Sequence, residues 1–187
     1  LGTESAALYE QIGNIYKALG QNDKVLASYD EAIRLDPKYV DAYFNKAIYY
    51  DEIGDYEKEI DCYNKVIEID STYTNAYLNR GNIYLNLRNY QLAIADENKA
   101  IELDPSSVLA HYNRGLIYYQ MRDVERAMND LNKAIAIDST FDRALYNRGV
   151  VNYEALKDFD AAIKDFTRTI EVNPKFEYAY IMRGVLK

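Results

Sequence analysis

Residues 77–81 read YLNRG, and the run returns as HYNRG at 111–115, as LYNRG at 145–149 and more loosely as YFNKA at 43–47. Asparagine, then a basic residue, then a small one, recurs at a fixed distance. Working outward, Gly13, Ala47, Gly81, Gly115 and Gly149 follow one another at a constant interval, and Gly184 comes one position late. The prolines are an independent test. Pro37 and Pro105 stand two periods apart, and Pro105 and Pro174 two periods plus one position. The extra residue is expected within EALKDFD, 154–160, in an inter-helix loop, where insertions cost little. A period of about 34 residues signals stacked supersecondary units.

Each unit reads as two helices. In the third, Ala76, Ile83, Tyr84 and Leu87 recur with helical spacing. LRNY at 87–90 breaks the pattern, and Leu92, Ala93, Ile94, Ala100, Ile101 and Leu103 mark a second helix that stops before Pro105. Neither helix can bury its apolar stripe alone, so stacked units must share a continuous core.

This unit resembles a tetratricopeptide repeat, whose pattern places an aromatic, a small residue and a tyrosine in the first helix, an alanine and an aromatic in the second, and a closing proline. Residues 6–39 supply Tyr9, Gly13, Tyr16, Val25, Tyr29 and Pro37; 74–107 supply Tyr77, Gly81, Tyr84, Ala93, Glu97 and Pro105. Residues 40–73, 108–141 and 142–176 match in the same register, and 177–187 begin a sixth unit with Tyr180, Arg183 and Gly184. The resemblance implies an all-α fold, a right-handed superhelical α-solenoid of antiparallel helix pairs, as a single domain over 1–187. Close approach of the two helices explains the small slot, which Ala93, Ala127 and Ala162 of the second helix are expected to meet. Three departures from the pattern bear on the packing. Glu59 replaces a small residue and Glu97 an aromatic; both carboxylates are expected at the edge of the packing. Asn152 replaces a tyrosine, for which Tyr153 is expected to compensate in part.

The basic slot holds Lys46, Arg80, Arg114, Arg148 and Arg183. The second helices of units three to five offer Asp96, Asp130 and Asp165, whereas unit two offers Cys62 and unit one Ser28. Acid accompanies arginine, which reads as a structural Arg–Asp ladder; the alternative is a row of arginines binding an anionic ligand.

Asn45, Asn79, Asn113 and Asn147 lie about 200° around the helix from the small slot, facing away from the helix-pairing surface. In the resembled family that stripe lines the concave groove. An amide carries both donor and acceptor, so a ladder of them suits an extended peptide backbone; the alternative is a structural filler bonded to neighbouring helices. The N-terminal part of the stripe is acidic, with Glu10, Asp41, Asp51 and Glu52. The C-terminal part carries Leu109, Tyr112, Leu116, Tyr119, Tyr146, Val150 and Tyr153, either an apolar patch with aromatic anchors or rings packed between helices. The two-carboxylate clamp by which some family members hold acidic chaperone tails is not matched, because Glu10 stands where its first lysine belongs and Asn75 and Asn79 where its later cations belong.

Composition limits the chemistry. The 187 residues carry net charge −8, with 22 Lys and Arg against 30 Asp and Glu. That disfavours nucleic acid, whose affinity rests on neutralised phosphates, and favours a neutral or basic protein partner. One cysteine and one histidine, Cys62 and His111, exclude an internal disulfide and give no expected transition-metal cluster or nucleophilic dyad. His111 reads as an aromatic substitute in the helix pair. No phosphate loop or dinucleotide fingerprint is present. No catalytic residue, metal or cofactor is expected. No apolar run reaches spanning length; LGTES is no signal sequence, and a reducing cytoplasmic setting is expected. The expected function is a peptide- or protein-binding scaffold using the concave groove. A structural element that self-associates end to end through Tyr178, Ile181 and Met182, or a regulatory segment of a larger protein, is the alternative.

Overall fold

The computed structural model describes the backbone of residues 2–186 and the side chains of 5–186. Among them there are eleven α-helices: α1 Gly2–Ala18, α2 Asn22–Leu35, α3 Val40–Ile53, α4 Tyr56–Ile69, α5 Thr74–Asn86, α6 Tyr90–Leu103, α7 Val108–Gln120, α8 Val124–Ile137, α9 Asp142–Val151, α10 Phe159–Val172 and α11 Glu177–Val185. The chain forms two compact units, Leu1–Ile83 and Tyr84–Lys187.

The turns are written in short polar signals. Asp55, Asp123 and Asp158 cap α4, α8 and α10, each accepting a backbone N–H three residues on, from Lys58, Arg126 and Ala161. After each second helix, Asp36, Asp70, Asp104, Asp138 or Asn173 accepts the backbone N–H two residues on, an Asx turn that starts the next unit. Inside each pair the chain turns through a left-handed residue at one recurring position. Glycine takes it at Gly20 and Gly54, but Arg88, Arg122 and Lys157 take it later, at φ 58°, 65° and 57°.

In the first unit, Ala47, Tyr50, Cys62, Tyr63, Val66, Ala76 and Ile83 form one apolar core. In the second, Leu131, Ala134, Ala144 and Val151 do so, with Tyr112, Tyr119, Met128 and Phe141 packed on them. The small slot of the first helix lies nearest the large residue of the second. A Cβ on Gly13 would fall 2.6 Å from Tyr29, one on Gly149 2.8 Å from Phe166 and one on Gly115 3.2 Å from Leu131. At Gly115 the Ala127 carbonyl is also among the nearest atoms, at 3.3 Å.

The extra residue of unit five is not absorbed in a loop. α9 continues into a π-helical turn, Asn152–Leu156, which widens the helix by one residue before Lys157 closes it. Tyr153 turns onto Phe159, ring centroids 5.9 Å apart, so it packs there rather than standing in for the missing tyrosine.

Both anomalous carboxylates are buried, not at the edge. Glu59 is 3% exposed and Glu97 is fully buried, each with an unpartnered Oε2. Burial, reinforced by Asp51, pushes Glu59 up to about 7. Burial pushes Glu97 up to about 9, against the pull of an Asn113 hydrogen bond. Loss of water outweighs the single amide, so Glu97 is a neutral acid at pH 7.

Candidate functional site

The basic slot locks the helices together. Arg114 forks Asp130 of its own second helix at 2.7 and 2.8 Å, and its Nη1 reaches Asn98 of the preceding repeat at 2.6 Å. Arg148 repeats this with Asp165, at 3.0 and 2.6 Å, and with Asn132 at 2.8 Å. In the first unit Arg80 donates to Asn64 and Lys46 to Asp30, both at 2.5 Å. These guanidinium groups are structural, and the arrangement is richer than the sequence reading. The missed partners, Asp30, Asn64, Asn98 and Asn132, themselves recur once per period. His111 follows the same logic as its counterparts. Its Nε2 lies 3.2 Å from the Pro105 carbonyl, just as the Tyr43 and Tyr77 hydroxyls donate to the carbonyls of Pro37 and Ser71, six residues back.

Each asparagine already spends at least one amide donor within the protein. Asn45 Nδ2 donates to Glu10 at 2.5 Å and Asn79 to the Tyr63 hydroxyl at 2.9 Å. Asn113 donates to Glu97 at 3.1 Å, and Asn147 to the Tyr112 hydroxyl and the Arg143 carbonyl at 3.0 and 2.9 Å. Asn113 is buried, whereas Asn45, Asn79 and Asn147 are half-buried. The acidic stripe of the first unit is partly neutralised as well: Glu10 is buried and also accepts from Asn14, and Glu52 pairs with Lys17 at 2.6 Å.

The apolar stripe of the second unit divides. Two rings pack inward: Tyr112 meets Phe141 edge-on at 5.2 Å and Tyr146 lies between Phe166 and Phe176 at 5.6 and 4.9 Å, whereas Tyr153 meets the exposed Phe159. Val150 is half-buried and Leu109 exposed. Leu116, Tyr119 and Asn147 instead converge on a cleft of about 380 Å³, completed by Leu85, Asn86, Arg88, Tyr90 and Gln120. Its walls combine the side chains of Leu85 and Leu116 and the rings of Tyr90 and Tyr119 with the polar groups of Asn86, Arg88, Gln120 and Asn147. The Tyr119 hydroxyl donates to Glu154 at 2.5 Å, bridging successive repeats. Burial and the Glu154 carboxylate push that phenol up to about 12, so it is a neutral donor. Asn86, Arg88, Tyr90 and Gln120 come from turns and helix ends, where helical periodicity gives no facing; the left-handed Arg88 carries its side chain toward the cleft.

Among the described residues, no group of three or more His, Cys, Asp or Glu is placed to hold a metal ion, and no helix is long and apolar enough to cross a membrane. Cys62 is buried, and burial pushes its thiol up to about 11, which makes it unreactive.

The repeat geometry agrees with the comparisons to known families. Models described as TPR repeat match residues 13–54 and 48–87, and models described as tetratricopeptide repeat match 74–107, 108–141 and 142–176. The chain belongs to the tetratricopeptide repeat (TPR) family. Solved TPR proteins share the fold. MamA is 27% identical over 94% of this chain and 95% of that one, with a TM-score of 0.79. YrrB, described as a TPR protein with an unusual peptide-binding site, is 20% identical over 94% and 90%, with a TM-score of 0.74. Pseudomonas aeruginosa PilF is 18% identical over 99% and 84%, with a TM-score of 0.84. Among curated proteins, none matches the chain. In TPR terms, the Arg–Asp–Asn bracket is this chain's solution at a position where the family usually places leucine.

Proposed function

We propose that this TPR chain is a non-catalytic scaffold that binds an extended segment of a protein partner along the first-helix face, with the cleft at Leu116, Tyr119 and Asn147 as its main contact in the second unit. The observation that carries this reading is the convergence of those three residues, each expected in the groove from sequence, on one cleft of about 380 Å³. Leu116, Leu85 and the Tyr119 ring supply apolar contact. Asn86, Gln120 and the Asn147 carbonyl supply hydrogen bonds that an extended backbone can meet whatever its side chains. Asn45, Asn79 and Asn113 act mainly through their internal partners in this reading, and Tyr112, Tyr146, Val150 and Tyr153 support the face from behind. The net charge of −8 favours a neutral or basic partner over nucleic acid. YrrB's peptide-binding site is a parallel on the same fold.

The test is a peptide array and pull-down comparing the wild type with a Leu116→Ser, Asn147→Ala double variant. Ligands lost by a variant that keeps its helical signal and melting temperature support the cleft. Ligands retained at full strength rule it out.

A second reading rests on α11, where Tyr178, Ile181 and Val185 form an exposed stripe one helical turn apart. It is self-association through that stripe, tested by light scattering across a concentration series with Tyr178→Ser and Ile181→Ser.

A further inference from the structure

The fifth repeat lacks a ring that the other four keep. Tyr16, Tyr50, Tyr84 and Tyr118 share one slot of the first helix, and Tyr16, Tyr50 and Tyr118 each lie under a cation from the second helix, at a slot that holds Leu92 in repeat three. Lys24 is 5.1 Å from the Tyr16 centroid, Lys58 5.5 Å from Tyr50 and Arg126 5.5 Å from Tyr118. With the one-residue insertion counted, the same two slots in repeat five hold Asn152 and Ala161. Ring and cation are both gone.

A cleft of about 300 Å³ stands there, between Met128 and Asn132 of α8 and Ala161 and Lys164 of α10, with Asn152 and the Arg148–Asp165 pair completing its lining. It shares no residue with the cleft at Leu116, Tyr119 and Asn147. The neighbouring tyrosine does not refill it, because the π turn commits Tyr153 to Phe159 and to Lys157, 5.9 Å from its centroid. The lining is held firmly. Asn152 and Asp165 are each 5% exposed, Asn152 Nδ2 donates to Asp165 at 3.1 Å, and Arg148 forks the same carboxylate.

We propose that this cleft receives an aromatic side chain of a protein partner, a tyrosyl ring taking the place that sister repeats fill with their own. The chemistry of the lining suits a ring. Met128 offers a thioether, which packs favourably against aromatic edges. Asp165 is neutralised by Arg148, so exposed Lys164 leaves the rim cationic, complementary to the negative face of a ring. Lys164 lies one helical turn beyond Ala161 on the same face of α10, close to where Lys24, Lys58 and Arg126 stand over their tyrosines. The site is independent of the groove proposed above.

The test is an NMR titration of the whole chain with N-acetyl-tyrosinamide, with N-acetyl-alaninamide as control. Saturable shifts are expected at the Asn152 side-chain amide, the Arg148 Nε–H and the Met128 methyl, with the tyrosine probe only and with Leu116 and Asn147 unmoved. Asn152→Tyr refills the cleft from inside, and Ala161→Phe covers it from α10 without touching the π turn; both abolish the shifts. If Asn152→Tyr does not fold, Ala161→Phe alone decides. Shifts that are absent, that appear equally with alaninamide, that survive Ala161→Phe or that fall at Leu116 and Tyr119 instead overturn the proposal.

Discussion

Asn113 donates to one carboxyl oxygen of Glu97 across 3.1 Å, and the other oxygen of that carboxyl has no partner. The slot that Glu97 fills holds Tyr29, Tyr63, Leu131 and Phe166 in the other repeats, so an acid occupies a core position. Folding therefore depends on its protonation. An unfolded glutamate ionises near the ordinary 4.5, whereas the folded one keeps its proton up to about 9. Between those values the folded state binds more protons, so the stabilising contribution is complete below 4.5 and is lost as pH rises toward 9. The slope is at most about 1.4 kcal/mol per pH unit for one group. Glu59 contributes in the same direction but only up to about 7. Urea midpoints measured at pH 7, 8 and 9 should fall steadily for the wild type and stay nearly flat for Glu97→Gln. Parallel curves for the two proteins would refute the assignment.

The left-handed residue at each inter-helix turn predicts a gain of stability. Arg122 holds φ 65° where the first two repeats use Gly20 and Gly54. A side chain there costs about 1–2 kcal/mol against the following carbonyl, part of which glycine returns through its greater unfolded freedom. Arg122→Gly should raise the unfolding free energy by about 0.5–1 kcal/mol. Thermal melts of Arg122→Gly and Arg122→Ala check this: only the glycine variant should melt higher than the wild type.

Gly149 predicts the opposite sign. A Cβ there would fall 2.8 Å from the Phe166 ring, which is fully buried and cannot retreat. Gly149→Ala should cost about 1–3 kcal/mol, the usual range for overpacking a core. Repeat four supplies the rescue, since the corresponding clearance from Gly115 to Leu131 is 3.2 Å. Adding Phe166→Leu should therefore restore part of the loss. A double variant less stable than both singles would show that the ring contact is not the cause.

The period, the helix pairs and the small slot were legible because each recurs in every unit and each has a steric reason. The Arg–Asp fork was legible because acid appears wherever arginine does. What one period cannot show is a deviation inside one repeat. The extra residue could be counted but not placed, since a π turn and a longer loop leave the same spacing; Asn152–Leu156 took the first route. Glu97 looked like an edge residue because burying an acid is costly, yet its repeat has no other residue to fill that slot. On the first helices, the stripe put Leu116, Tyr119 and Asn147 on one face, and the three line one cleft. It could not separate them from Tyr112 and Tyr146, whose rings found Phe141, Phe166 and Phe176 from loops and second helices.

Asn113 and Asn147 stand in identical YNRG runs, and the structure predicts that they behave differently. Asn113 is buried and supplies the hydrogen bond that Glu97 receives; removing it leaves that acid without a donor in a dry core. Asn113→Ala should cost about 1–3 kcal/mol, the penalty for stranding a buried polar group. Asn147 is half-buried beside the cleft and donates to the Tyr112 hydroxyl, which can rotate toward water, and to the carbonyl of exposed Arg143. Asn147→Ala should cost less than about 1 kcal/mol. Chemical denaturation of the two single variants measures this difference directly. It also sets how binding data are read: affinity lost by Asn147→Ala reports on the cleft, whereas affinity lost by Asn113→Ala is inseparable from the damage to the core.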